Sequence, residues 1–348
     1  MSVLERVWFD ESLFARSARL VLAPPSWLYS SIVRMRGALF DRQVLHVHQA
    51  AVPVLSIGNL SVGGTGKTPL AAWAAERLRA AGAKPAVLLR GYGGDEPLVH
   101  AMLNPDVPVI ADPDRVAGAQ QALAAGADCA ILDDGFQHRR LARIADWVLV
   151  SAEQPPEPAR LLPAGPWREP TSSLRRATVV IVTRKSASLE TASAVAARLG
   201  ARYGVDCAIV HLTPSDVVDA RERRSIGLQR LRGASVLLVA AIGAPAAFAA
   251  QVGDLGVAQC ETLTFRDHHR FTEPDVSRIV QASARFDAVV CTLKDAVKLT
   301  PLWPRAAPPL WYVSQRAEVE RGEQLLAATL ASVMSARASS TSTAGAAG

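Results

Sequence analysis

The sequence has only five lysines, at positions 67, 84, 185, 294 and 298, although lysine and arginine together number 38. Arginine carries nearly all the positive charge, so each lysine can be read individually. Cysteine is as sparse: Cys129, Cys207, Cys260 and Cys291 stand far apart with no CxxC pair. That excludes a zinc ribbon or a disulfide framework and suits a reducing cytoplasm. Aromatic residues are 5% of the chain, and no basic–aromatic interleaving suited to base stacking is present. A net charge of +6 therefore does not imply nucleic acid, because nothing is arranged to stack bases. The first residues lack the pattern of a secretory signal peptide. Long apolar runs are missing too. The uncharged stretch from Leu20 to Val33 contains Pro24-Pro25 and falls short of the roughly 20 residues that a spanning helix needs.

What is present is an α/β pattern. With 348 residues, 49% of them hydrophobic, the chain is long enough for two cores. Apolar strand runs (VPVLSIG, KPAVLLRG, DCAILDDG, ADWVLV, ATVVIVT) alternate with helical ones (TPLAAWAAERLRAAG, DRVAGAQQALAAG). Such alternation predicts a parallel sheet covered by helices on both faces, with ligands at the carboxyl ends of its strands. A second series (ASVLLVAAIG, DAVVCTLKD, PPLWYV) predicts a smaller α/β C-terminal domain. The expected organisation is N-terminal membrane-proximal helices over 1–45, a P-loop nucleotide-binding core over 46–215 and a C-terminal domain over 216–334 closing over the cleft. The boundary falls in the polar stretch near 215–233, and 335–348 forms a low-complexity, disordered tail. No internal repeats are present.

Helix-like segments flank Pro24-Pro25. In the second, Leu28, Ile32, Met35 and Leu39 share one face, with Arg34, Arg36 and Arg42 off it. This stripe is either an ordinary docking face or an interfacial helix with arginines on anionic headgroups.

Residues 61–68, SVGGTGKT, approximate the phosphate-loop pattern G-x-x-x-x-G-K-[ST], but serine takes the leading glycine's place. Gly63, Gly64, Thr65 and Gly66 can turn backbone N–H groups toward phosphate. Lys67 can reach the β- and γ-phosphates, and Thr68 can coordinate magnesium. The strand ending in Asp133-Asp134 has the form of a Walker B element, whose carboxylates hold Mg2+. His138, four residues beyond, faces the transferring phosphate or is a surface histidine. The proline-rich stretch 153–170 has the length of a functional loop or lid.

Seven stretches, in order, resemble one family: GNLSVGGTGKTP, LLRGYGG, GDEP, ILDDGFQHRRLAR, LLPAGPWREP, FRDHHRF and TLKDAVKL. This is the family of tetraacyldisaccharide 4'-kinases. They span residues 58–299, and the displaced glycines are that family's own variant of the loop. The resemblance implies a P-loop kinase-type fold and ATP with Mg2+ as cofactors. It also implies an acylated disaccharide lipid, the lipid A precursor, as substrate. A monomer held peripherally at the cytoplasmic face of the inner membrane is expected. The resemblance gives Lys67 and Thr68 the phosphate and magnesium roles and Asp133 and Asp134 the Walker B role, and Asp95 of GDEP and His268 of FRDHHRF would form the catalytic pair acting on the sugar hydroxyl. Relatives usually carry a longer insert between RGYGG and GDEP, and often glutamate in place of Leu293. Read without the resemblance, Asp95 could equally cap a turn and His268 could be a solvated loop histidine. A second function class, a membrane-associated P-loop ATPase switch, would need neither residue.

Overall fold

A computed structural model describes residues 3–91, 94–154, 159–243, 245–267 and 269–344. His268 lies outside them. The chain forms two compact units and is not divided at a single point. Unit 1 holds the residues up to Arg90, Asp106–Val210 and the chain from Val319; unit 2 holds Gly91–Pro105 and His211–Glu318. The segment around Asp95, expected within the nucleotide-binding core, therefore packs with unit 2.

Unit 1 opens with α1 (Val3–Phe9) and α2 (Leu13–Asp41), then β1 (Val54–Asn59), α3 (Lys67–Ala80) and β2 (Pro85–Leu89). After α4 (Glu96–Leu103), which belongs to unit 2, come β3 (Val109–Ala111), α5 (Arg115–Ala124), β4 (Cys129–Asp133), β5 (Ala145–Ser151), β6 (Val179–Arg184) and α6 (Leu189–Tyr203). The strands run in the order β3-β2-β4-β1-β5-β6, all parallel as the alternation predicts. β1, β2 and β4 are buried along their whole lengths, because helices cover both faces. One face packs Val54, Leu88 and Leu132 against Ala119 and Ala122 of α5; another cluster packs Val148 and Val180 against Val195 and Leu199 of α6. α3 buries Leu70, Ala71, Ala74, Ala75 and Leu78, a face of mostly small residues that lets a helix lie close on a sheet.

The expected helix break at Pro24-Pro25 is not there: α2 is continuous through both prolines. Two missing N–H groups would orphan the carbonyls of Leu20 and Val21 one turn earlier. Both residues are exposed, so water can take those bonds. Ser12 caps the helix, accepting from the Ala15 N–H. The polar side of α2 ties it to unit 1. Ser26 donates to the Leu161 carbonyl, Tyr29 to that of Arg168 and Arg36 to that of Gln137, while Arg139 donates to the Gly37 carbonyl and to Asp41. Its apolar stripe faces away, with Leu28, Ile32 and Met35 exposed and Leu39 half-buried. Leu13, Phe14, Leu20, Val21 and Trp27 add to the exposed apolar surface. The docking-face reading of the stripe is therefore corrected.

Unit 2 contains β7 (Cys207–Asp219), β8 (Arg224–Ser225), β9 (Ser235–Ala240), α7 (Pro245–Gly253), β10 (Gln259–Thr264), α8 (Glu273–Ala282), β11 (Ala288–Thr292), α9 (Leu293–Leu299) and β12 (Leu310–Arg321). The chain enters this unit within β7 and leaves it within β12. The strand order is β10-β9-β11-β12-β7, parallel from β10 to β12, with β8 antiparallel to the end of β7. The polar stretch expected as a domain boundary is thus a hairpin. Val217 and Val218 are buried, and Asp219 turns the chain by accepting from the N–H groups of Arg221 and Glu222. The tail differs as well. Helix α10 (Glu323–Ala344) continues past Met334, favoured by alanine and anchored by Arg337 on Asp128 and the Gly82 carbonyl.

Candidate active site

The phosphate loop joins β1 to α3, and its shape follows from two glycines. Gly63 and Gly66 have φ of 128° and 91°, which L side chains rarely adopt. Gly66 occupies the N-cap position of α3, so Lys67 and Thr68 stand in the first turn, where the helix end is positive. Side chains brace the loop from below. Asn59 donates to the Thr65 hydroxyl (3.0 Å), Thr183 donates to the Thr65 carbonyl (2.8 Å), and the Lys185 ammonium donates to the Gly64 carbonyl (3.0 Å). Leu60 and Val62 are held in addition by backbone bonds from LLPAGPWREP: Val62 N–H donates to Pro166 and Arg168 N–H to Leu60.

Register brings the acidic strand beside this loop. Asp133, the last residue of β4, pairs with Ile57 of β1, so the Asp133-Asp134 step lies at the loop's base. Glycine is required here as well: a Cβ on Gly58 would lie 2.6 Å from Phe136 Cβ and 2.7 Å from its nitrogen. Asp134 adopts φ of 54°, a strained conformation for a residue other than glycine. Its carboxylate is held on both sides, with Lys67 Nζ 3.6 Å from Oδ1 and Arg168 donating to Oδ2 at 2.7 Å. Burial works to raise this carboxyl, but Lys67 and Arg168 outweigh it and keep it below its ordinary value. Thr68, Asp133 and Asp134 thus offer only hard oxygen donors, which fits Mg2+. Among the described residues no group of three or more His, Cys, Asp or Glu could hold a metal unaided.

His138 is half-buried and is not a cation at neutral pH. Burial first, then Arg115, Arg140 and Arg143, push its pKa down to about 4. Any role at the phosphate is that of a neutral imidazole. Three further residues at the loop or coupled to its carboxylates were not singled out by pattern. Arg168 comes from the PWREP turn, Lys185 from the end of β6, and Arg115 from the start of α5. Arg115 is buried, donates to the Asp112 carbonyl, and is lowered to about 10 by burial and Arg90, with Asp134 and Asp133 opposing. The quoted LLPAGPWREP stretch could have pointed to Arg168; nothing local distinguishes Arg115 from other helix-start arginines.

In unit 2, Asp95 stands at the N-cap position of α4, yet its side chain makes no capping hydrogen bond, which removes the main support for a turn-capping role. It is buried, and Lys298 Nζ lies 3.8 Å from its Oδ2. His269, the second histidine of FRDHHRF, has a structural role. It stacks on Phe265, meets Phe271 edge-on and bonds Asp275, whose carboxyl is lowered to about 2, chiefly by Thr272 and then by His269.

A phosphate loop whose lysine rests on the carboxylate of the next parallel strand defines a P-loop nucleotide-binding protein of the α/β class. Comparison with known proteins narrows this. The family described as "LpxK: Tetraacyldisaccharide-1-P 4'-kinase" matches residues 18–335. A tetraacyldisaccharide 4'-kinase of Anaeromyxobacter sp. (strain Fw109-5) is 40% identical, covering 95% of this chain and 96% of the relative. One of Halorhodospira halophila is 37% identical over 92% and 94%. Among solved structures, LpxK from Aquifex aeolicus in complex with ATP matches with a TM-score of 0.70 and 26% identity, over 90% of this chain and 99% of that one. The chain belongs to the tetraacyldisaccharide-1-P 4'-kinase family.

Proposed function

We propose that the protein transfers the γ-phosphoryl group of ATP to the 4'-hydroxyl of a tetraacyldisaccharide 1-phosphate, a step of lipid A biosynthesis, from the surface of a membrane. The observation that carries the reading is the Lys67–Asp134–Arg168 arrangement at the base of the loop, in a chain of this family. Loop N–H groups and the first turn of α3 receive the phosphates, and Lys67 exchanges Asp134 for the β- and γ-oxygens. Bound at Thr68, Asp133 and Asp134, Mg2+ would supply positive charge for the same oxygens. Arg168, bonded to the other oxygen of Asp134, continues to orient that carboxylate when Lys67 moves. The acceptor hydroxyl needs a base, and Asp95 is the candidate in unit 2, with His268 as the partner that the resemblance implies. In-line attack forms the new O–P bond while the bond to the β-phosphate oxygen breaks. The electron pair leaves with ADP and the hydroxyl proton passes to Asp95.

Membrane contact is assigned to α2. None of the described helices is long and apolar enough to cross a membrane. The exposed Trp27, Leu28, Ile32 and Met35 with Arg34 and Arg42 nearby instead support a helix lying in the interface of an anionic bilayer. The test is ATP turnover with and without purified lipid A precursor, with the lipid analysed by mass. The reading expects one added phosphate per ATP consumed. ATP hydrolysis on vesicles with no phosphorylated lipid would favour the ATPase switch instead.

A further inference from the structure

Lys298 is one of only five lysines, and it is enclosed on three sides. It lies one turn after Asp295 in α9, with its Nζ 3.3 Å from Asp295 Oδ1 and 3.8 Å from Asp95 Oδ2. The Phe271 ring closes the third side, its centroid 5.4 Å from the ammonium. Asp295 is wholly buried and fixed by the fold. No loop separates β11 from α9, Thr292 caps the helix on the Asp295 N–H, and the carboxylate accepts from the Thr292 hydroxyl and the Ala241 N–H. Side chains at i and i+3 meet on a helix surface, so Asp295 in turn fixes where the ammonium stands. Phe271 cannot yield easily, since its ring is packed against Phe265 and His269.

We infer that Lys298 is a positioning residue of the transfer: anchored on Asp295, its ammonium keeps the Asp95 carboxylate ionised and oriented toward the acceptor hydroxyl. This rests on the reading of Asp95 as the base. Burial as deep as that of Asp95 biases a carboxylate toward its protonated form, in which it could not accept another proton, and a cation at this range opposes that bias. The ammonium favours the ionised form of Asp95, and Asp295 opposes this only so far as it is itself ionised; burial raises the Asp295 carboxyl, with Lys298 opposing. At 3.8 Å the contact with Lys298 is Coulombic and longer than a strong charge-assisted bond. Other titratable groups on the surrounding elements are Glu96 and His100 of α4, Lys294 of α9, Cys291 of β11, and His269 with Asp275 behind Phe271. Cys291 is raised well above its ordinary value by burial and then Asp295, and Asp275 lies near 2, so neither titrates with Asp95.

The experiment measures kcat/KM for the lipid acceptor against pH. An opposite charge at this range lowers a carboxylate pKa by about 1–3 units, so Lys298→Met should move the acidic limb of the profile up by about that amount. It should also lower kcat by about 10–100-fold at neutral pH while leaving the KM for ATP unchanged. Lys298→Arg should return the limb to within about half a unit of the parent. If Lys298→Met does not fold, Lys298→Met/Asp295→Asn removes the cation and the buried carboxyl together and should still move the limb up, by less than Lys298→Met alone. A folded variant of either kind with the parental limb overturns the inference, since a merely structural ion pair would change melting and leave the limb in place. Asp95→Asn separates the two readings. Near-parental turnover in that variant sinks Asp95 as the base, and lost turnover beside an unshifted Lys298→Met profile sinks only the role of Lys298.

Discussion

Replacing Ile32 and Met35 together with glutamate separates a membrane-facing stripe from a core-facing one. Ile32 is 50% exposed and Met35 60%, so about half the transfer energy of each side chain is still to be gained. At about 1.5–3 kcal/mol for full burial, the two have on the order of 2–3 kcal/mol left to contribute in an interface. Two glutamates held near an anionic surface add repulsion, by analogy with the roughly 1 kcal/mol that each basic residue gains there. The sum, about 4–5 kcal/mol, corresponds to a loss of roughly a thousandfold in vesicle partitioning. Folding should barely notice, because exposed substitutions away from special features change stability by about 0.5 kcal/mol or less each. Co-sedimentation with anionic and neutral vesicles reads the first quantity and chemical denaturation the second. A destabilisation of about 4 kcal/mol or more, as large-to-small or charged changes in a core produce, would refute the reasoning, as would unchanged binding to anionic vesicles.

Lys67→Ala should abolish phosphoryl transfer while the protein remains folded, because the side chain contacts Asp134 and not the core; near-parental turnover in a folded variant would remove the loop from the mechanism. Gly58→Ala forces a methyl group to 2.6 Å from Phe136 and should cost about 3 kcal/mol or more in denaturant titrations, since overpacking against backbone has little room to relax. The pH dependence of stability should carry the mark of His138. Its folded pKa of about 4 lies below the unfolded value near 6.5, so the unfolded chain binds the proton first as pH falls. Its contribution is complete above about 6.5, declines toward 4 and levels off below that. His138→Gln should flatten that decline, and an unchanged slope would show that the imidazole is not held neutral.

Local chemistry made much of this protein legible from its sequence. The strands of unit 1 are continuous apolar runs because both sheet faces are covered, and α3 follows glycines that can adopt positive φ. The phosphate-loop lysine and the paired aspartates announce themselves because backbone geometry and charge type are local properties. Resemblance over seven ordered stretches then named the family, which composition and spacing could not. Where local reading failed, distant contacts had decided the outcome. Helix α2 runs through two prolines because its orphaned carbonyls face water and its other side is tied to residues more than a hundred positions away. The DARER stretch is a hairpin turn because Val217 and Val218 found a core.

Residue identity by itself thus determined that a phosphate loop, two carboxylates and a lone set of lysines exist. Tertiary structure decided their partnerships. Lys67 meets Asp134 only because β1 and β4 are neighbours in a parallel sheet, although 67 residues of sequence separate them. Asp95 and Lys298 lie about two hundred positions apart, and their meeting depends on α4 packing beside α9 within unit 2. An ion pair is a statement about distance, and distance between remote residues is set by the packing of the elements that carry them, which no short stretch of sequence encodes.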